Sequence, residues 1–293
     1  METRCSVLSA ARDEPMTGTG FSQGGVLLVE QPGAWGRTGL SESGFDPDVA
    51  AALQRRADEH DLRLLAIRRT GRTAPRRRAW AVRPRGATHT TWSEYDGDGE
   101  LLDVPLDGSV GTPSERATYL VCTHAKRDQC CAVFARPIAA ALEALRPGDV
   151  WGCSHTGGHR FAPVVVALPA GVPGGVLYGR VAEDDLLTLI AATERGRVVP
   201  ERLRGQIGQP AHVQAALVHL QATVGGLGLD DWVPTASEAG EEGRWRVTAS
   251  GPDGPRTVLV EAVVRPEPFV SCGKPGPESQ THYAVSVEDH PRG

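Results

Sequence analysis

The residues with the chemistry in this chain lie between Thr118 and Arg160. This stretch gathers Cys122, Cys130, Cys131 and Cys153 with His124, His155 and His159, which is four of the six cysteines and three of the nine histidines. A [2Fe–2S] cluster takes four protein ligands, usually thiolates, and in some centres two histidines replace two of them on one iron. Cys122 closes a strand-like run and Cys131 lies nine residues on, where a helical run begins. The loop between them can fold both sulfurs toward one point, and a helix start favours thiolate charge. His155-Thr156-Gly157-Gly158-His159 follows the next strand-like run, and its two glycines permit a turn tight enough to bring both imidazoles together.

Other chemistries compete for these donors. Two thiolates and two imidazoles suit tetrahedral Zn²⁺ equally well by ligand type. Cys122-Thr123-His124 and Cys153-Ser154-His155 each have the spacing of half a Rieske site. A Rieske site also needs a Cys-x-x-His, which the sequence lacks, and a helix after Cys131 disagrees with an all-β module. Cys130 adjoins Cys131, so the two rarely face one site, and Cys153 reads as a small buried hydrophobe. Cys130 and Cys153 are therefore reserve ligands. His124 reads as a hydrogen-bond donor behind a ligand or as a solvated loop residue. Lys126, Arg127 and Arg160 read as surface charge that could also offset a cluster's charge. Cys5 and Cys272, far out in the sequence, read as free thiols, with a mutual contact as the alternative that no local signal supports.

The composition bounds the rest. At 293 residues the chain can bury a sizeable core, and 40% hydrophobic with 23% charged residues is ordinary for a globular protein. Arginine outnumbers lysine 29 to 2, yet the net charge is -5, which argues against bulk nucleic-acid binding. The N-terminal METRCSVLSAARDEPMTG carries both signs of charge and no apolar h-region, and the longest apolar run, Ala162–Val172, is short and broken by prolines. The expectation is a cytoplasmic protein without a membrane partner, where clustered cysteines argue for metal or redox chemistry before disulfides. No Walker A loop, dinucleotide fingerprint or nucleophile elbow occurs.

The elements that must position the donors follow from the pattern. Residues 1–23 look irregular. Strands are expected at Gly25–Glu30, Leu62–Ile67 and Arg78–Val82, with Asp46 as N-cap and Pro47 in the first turn of a helix between the first two. Thr88–Glu94 and Glu100–Val104 read as a hairpin about Asp96-Gly97-Asp98-Gly99. The arginines 68, 69, 72, 76, 77, 78, 83 and 85 form a basic run, read first as a solvated loop and otherwise as a docking face for an acidic redox partner or a phosphate ligand. Beyond Asp107–Pro113 the order partly repeats: strand Thr118–Cys122, helix Cys131–Leu145, strand Asp149–Cys153, strands Phe161–Leu168 and Val176–Val181, and helix Glu183–Arg195. That order is thioredoxin-like, and the first unit reads as a degenerate copy without ligands. A helix at Pro210–Thr223, an acidic loop at Ser237–Gly243, a hairpin of Arg244–Ser250 with Thr257–Val264, and a strand His282–Val287 complete the chain. The domains are then 1–111, an N-terminal α/β unit, 112–199, a thioredoxin-like unit, and 200–293, a helix and β-hairpin extension.

The segments VCTHAKRDQCCA and VWGCSHTGGHRFA resemble the sucrase/ferredoxin-like family, with weaker similarity through RCSVLSAARDEPMTGT, LLVEQPGAWG and SCGKP. That resemblance implies a thioredoxin-like ferredoxin with a [2Fe–2S] cluster, Cys122 and Cys131 on one iron and His155 and His159 on the other. The family name also implies sucrose cleavage, but no sugar-hydrolysing carboxylate pair is evident. The expected function is a one-electron carrier serving redox donor and acceptor proteins, with no catalytic residue. A zinc-stabilised binding module and a metal-free thiol oxidoreductase are the alternatives, the last weakened by the absence of a Cys-x-x-Cys.

Overall fold

A computed structural model of the chain describes residues 4–70, 77–274 and 276–287. It is a mixed α/β protein built on a ten-stranded mixed sheet and a separate four-stranded antiparallel one.

The first half of the large sheet grows from β1 (Gly25–Glu30), α2 (Pro47–Glu59), β2 (Leu62–Arg69), β3 (Arg78–Arg83) and β4 (Thr91–Tyr95), α1 being a short helix before them (Cys5–Ala11). Asp46 caps α2 by accepting from the amides of Asp48 and Val49, with Pro47 in the first turn, where its missing N–H costs nothing. Ala50, Leu53 and Ala57 of α2 pack on Leu27, Val29, Leu62, Ala66 and Trp80. β1 and β2 are parallel, β3 is antiparallel to β1, and β4 is antiparallel to β3.

The second half repeats this order with β6 (Thr118–Cys122), α3 (Gln129–Val133), α4 (Ala135–Leu145), β7 (Val150–Cys153), β8 (Val165–Leu168) and β9 (Val176–Tyr178). β6 and β7 are parallel, with β8 antiparallel to β6 and β9 antiparallel to β8. Ile138, Ala139 and Leu142 of α4 join Leu186, Leu189 and Ile190 of α5 (Leu186–Thr193) over Tyr119, Val121 and Val165. The halves meet where β2 pairs antiparallel with β7, Ile67 opposite Cys153 and Arg69 opposite Trp151. Across this join one core runs through Val26, Leu28, Leu65, Ile67, Leu120, Trp151 and Val166. A two-residue β5 (Thr112–Pro113) and β10 (Leu203–Gln206) form the outer edges. Helix α6 (Ala211–Thr223) joins the second sheet, made of β11 (Val233–Ala239), β12 (Arg244–Gly251), β13 (Gly254–Glu267) and β14 (Glu278–Val287). Its Val213, Ala216 and Leu220 pack against Val247, Ala249, Val258 and Val260.

Several expectations need correction. The irregular N-terminus contains α1. The strand expected at Glu100–Val104 is a 3-10 helix over Asp98–Leu102, because the Glu100 carboxylate turns back to accept the Gly97 amide at 2.9 Å. The helix expected over Cys131–Leu145 is broken at Phe134; Pro137 has no N–H to continue the ladder from the preceding turn. The expected acidic loop at Ser237–Gly243 is shorter, because Ser237–Ala239 end the strand β11 and only residues 240–243 are loop; β10 is an unexpected edge strand. The described members of the arginine run lie mostly on strands and are engaged within the chain, although Arg69, Arg77 and Arg85 stay exposed. Arg68 stacks on Trp35 and Arg69 on Trp151, Arg77 pairs with Asp96, Arg78 with Asp98, and Arg85 with Asp61. Arg83 is buried and donates to the carbonyls of Pro169 and Val172, and burial pushes its pKa down to about 10. Arg72 and Arg76 lie outside the described residues.

Candidate metal centre

Cys122 is the last residue of β6, a strand whose five residues are all buried, so its sulfur starts from a fixed point in the core. The chain then turns through residues 123–128 to Asp128, which caps α3 by accepting the Cys130 amide at 2.9 Å. That cap sets the first turn of α3 and points Cys131 back toward Cys122. On the parallel neighbour, β7 ends at Cys153 and the chain passes through Ser154 to His155. Gly157 and Gly158 then hold positive φ, 89° and 66°, which reverses the backbone before His159. A Cβ at Gly158 would also meet the Arg204 guanidinium, so both the backbone conformation and the space favour glycine there.

The result is a convergence. Ligand atoms of Cys122, Cys131 and His155 all lie within 4.8 Å of one another. His155 Nδ1 is 3.9 Å from the Cys122 sulfur and 4.0 Å from that of Cys131. Its Nε2 is 3.4 Å from Nδ1 of His159. Both cysteines are buried, at 1% exposure each, whereas both histidines are half-buried. The sulfurs thus form the inner end of the site and the imidazoles its outer end.

The electrostatics suit a metal. The Cys122 thiol is held well below its ordinary range by a hydrogen bond from Cys131 and by His155, against the opposing effect of burial. A second thiol in contact with that thiolate is correspondingly harder to ionise, and the Cys131 thiol is raised. Burial pushes His159 down to about 4, partly opposed by Asp128 at 3.7 Å, so its imidazole stays neutral and able to ligate.

A supporting shell surrounds the donors. His124 is buried and donates from Nε2 to the Gly36 carbonyl, which leaves Nδ1 to accept the His155 amide at 3.2 Å. It is therefore no solvated loop residue, and toward His155 it accepts a hydrogen bond where a donor was expected. Arg63 of β2 donates to the His155 carbonyl at 3.2 Å, and Arg204 of β10 to that of Gly157 at 3.1 Å. Arg204 is wholly buried, and its pKa falls to about 9 through burial and Arg160, with Cys122 and Cys131 raising it. Arg160 is held by Glu14 at 2.6 Å, so it belongs to the fold and not to an open charged surface. Beside His155 a cleft of about 240 Å³ opens, lined among others by Arg37, Arg63 and Arg127.

The reserve ligands go elsewhere. Cys153 is fully buried in β7 with its thiol raised by burial, and it is not part of the ligand group. Cys130 turns away from Cys131 and gathers with Cys5, Cys272 and Asp128. Asp128, Arg63 and Arg204 were missed at the sequence level. Asp128 had a local signal, an N-cap type just before the helix; the two arginines had none, since each reaches the site from a remote strand.

Fold and site define an α/β protein with a mixed thiol–imidazole centre at one strand–helix junction. The chain belongs to the sucrase/ferredoxin-like family, whose sequence model matches residues 29–205. It is similar to altered inheritance of mitochondria protein 32 of Eremothecium gossypii, at 26% identity over 148 residues, which is 47% of each chain. The matched part is thus about half of that relative's length. No solved structure matches. Among the described residues no helix is long and apolar enough to cross a membrane.

Proposed function

We propose that the chain carries one [2Fe–2S] cluster on Cys122, Cys131, His155 and His159 and acts as a one-electron carrier between protein partners. The observation that carries this reading is the ordered donor set: two buried sulfurs, then His155 against both, then His159 at 3.4 Å from His155. Such a cluster would supply reversible one-electron chemistry, and histidine on one iron raises its potential above that of all-thiolate plant-type centres. The residues divide the work. Cys122 and Cys131 hold the inner end away from water. His155 and His159 form the end that a partner can approach, beside the arginine-lined cleft. His124, through the His155 amide, and Arg63, through its carbonyl, fix where that imidazole stands. Arg204 keeps a positive charge near the sulfurs, which favours the reduced, more negative state.

The thioredoxin-like reading of 112–199 is supported by the pairing order β9-β8-β6-β7 with α3/α4 as the crossover. The same order in β2-β1-β3-β4 supports the reading of 1–111 as a ligand-free counterpart.

The test is composition and colour. Anaerobically purified protein should be brown and hold about two irons and two acid-labile sulfides per chain. Colourless protein with stoichiometric zinc at this site, from cells given ample iron, would falsify the electron-transfer reading in favour of a zinc-stabilised module.

A further inference from the structure

Three thiols meet at a second point in the molecule. Cys5 comes from α1, Cys130 from α3, and Cys272 from the turn after β13. Their sulfurs form a triangle: Cys5 to Cys130 3.5 Å, Cys130 to Cys272 3.4 Å, and Cys272 to Cys5 3.6 Å. Cys5 and Cys130 are fully buried. The Asp128 carboxylate, whose side chain has 0% exposure, closes the fourth side, with Oδ1 and Oδ2 at 3.7 and 3.8 Å from the Cys5 sulfur.

We infer that Cys5, Cys130, Cys272 and Asp128 form a second metal site, for a thiophilic divalent cation of the Zn²⁺ type, which ties α1 and the Cys272 turn onto α3. Thiolates in a tetrahedral zinc site, about 2.3 Å from the metal, stand about 3.8 Å apart. The observed triangle is within a few tenths of an ångström of that. Three small thiols could also pack together as hydrophobes, but apolar packing does not call for a buried carboxylate on the remaining side. A disulfide would pair two of the sulfurs and strand the third. The carboxylate is itself held in place: Oδ1 accepts the Cys130 amide, and Oδ2 accepts the Cys272 amide at 2.8 Å and the Ser271 hydroxyl at 3.1 Å. Oδ1 thereby keeps a lone pair for a metal. Binding releases one proton from each thiol to solvent and leaves three thiolates and one carboxylate on the cation.

The placement suggests what the site is for. The Ser271–Lys274 turn is closed by an isolated bridge and lies outside the four-stranded sheet. Its Ser271 and Cys272 are anchored through Asp128, Cys5 and Cys130, while Lys274 pairs with Glu278 of β14. Cys130 is next to Cys131, and Asp128 lies beside His159, so the second cation would hold the helix start that the first site uses.

This inference does not depend on the cluster reading, and the experiment separates them. Full-length protein purified anaerobically, with reductant, iron and zinc in the medium, is assayed for both metals. One zinc per chain is expected, retained in a Cys122→Ala/Cys131→Ala variant that loses its iron. Cys5→Ala and Cys272→Ala should each lose that zinc while keeping the iron and the brown colour. Absence of iron in the wild type with zinc retained would defeat only the cluster. Should either single variant fold poorly, Co²⁺ titration of Cys122→Ala/Cys131→Ala supplies the second readout. Thiolate-to-cobalt absorption saturating at one equivalent, displaced by one equivalent of Zn²⁺, supports the site. Zinc content unchanged in both single variants, no thiolate–cobalt absorption, or a disulfide among the three cysteines in the anaerobic protein overturns it.

Discussion

The two halves of the large sheet share one plan and differ in what they hold. In each, a strand, a crossover helix and a parallel strand are followed by two antiparallel strands. In each an aspartate caps the crossover helix, Asp46 for α2 and Asp128 for α3. At the end of the first strand, however, stands Glu30 in one half and Cys122 in the other. Three residues past the cap stands Val49 in one and Cys131 in the other. The two halves therefore share a plan, and only the second places thiols at its strand end and helix start, where they converge. The half without thiols still serves the site. Its β1–α2 loop supplies the Gly36 carbonyl that orients His124, and its β2 supplies Arg63.

The comparison can be broken most sharply at the paired positions. Cys131→Ala should abolish iron binding and colour, whereas Val49→Ala should keep full colour and cost about 1 kcal/mol of stability. Iron analysis and urea denaturation of the two variants check this, and a brown Cys131→Ala protein would remove that residue from the site. Next in size is His159→Cys, which should keep a cluster while lowering its potential by on the order of 100 mV. An unchanged potential and spectrum would take His159 off the ligand set. Smaller again is the pH dependence. Reduction adds negative charge and raises the proton affinity of a ligating imidazole, so the potential should fall as pH rises. The slope should approach about 59 mV per pH unit between the oxidised and reduced imidazole pKa values. A flat potential from acid to alkaline pH would count against histidine at the exposed end.

The smallest effect lies in the thiol-free half. Burial raises the pKa of Glu30, opposed by the hydrogen bond from the Ala79 amide. The folded chain then keeps a proton that the unfolded one releases near pH 4.3. Its contribution is full below that pH and is lost as pH rises through the folded-state value. Glu30→Gln should remove this loss, so its stability relative to wild type should improve as pH rises from about 4 to 7. Parallel stability curves for the two proteins would show that the carboxyl does not titrate abnormally.

Much of this was legible in the chain. The strands Gly25–Glu30 and Thr118–Cys122 and the Asp46-Pro47 helix start have local signals, namely continuous apolar runs and cap chemistry, and the structure follows them. The closeness of Cys122 to Cys131 and of His155 to His159 also has a local origin, because a short connection with ends fixed by the flanking elements joins each pair. The extended reading of Glu100–Val104 failed, since one carboxylate folding back on the Gly97 amide outweighed a weak strand pattern. The continuous helix breaks at Phe134, one turn before Pro137, whose missing N–H cannot carry the ladder across that point.

What the sequence determined by itself was the donor inventory and the local spacing, since both depend on short-range geometry. The tertiary structure alone decided which cysteines share a point. Cys130 and Cys131 are neighbours in the chain, yet the first turn of α3 sends them to opposite sides, one to Cys122 and the other to Cys5 and Cys272. Cys5 and Cys272, 267 residues apart, meet only because the burial of α1 and the capping reach of Asp128 draw both ends of the chain to one helix start. No local pattern encodes a contact of that span, because it is fixed by the packing of the whole fold.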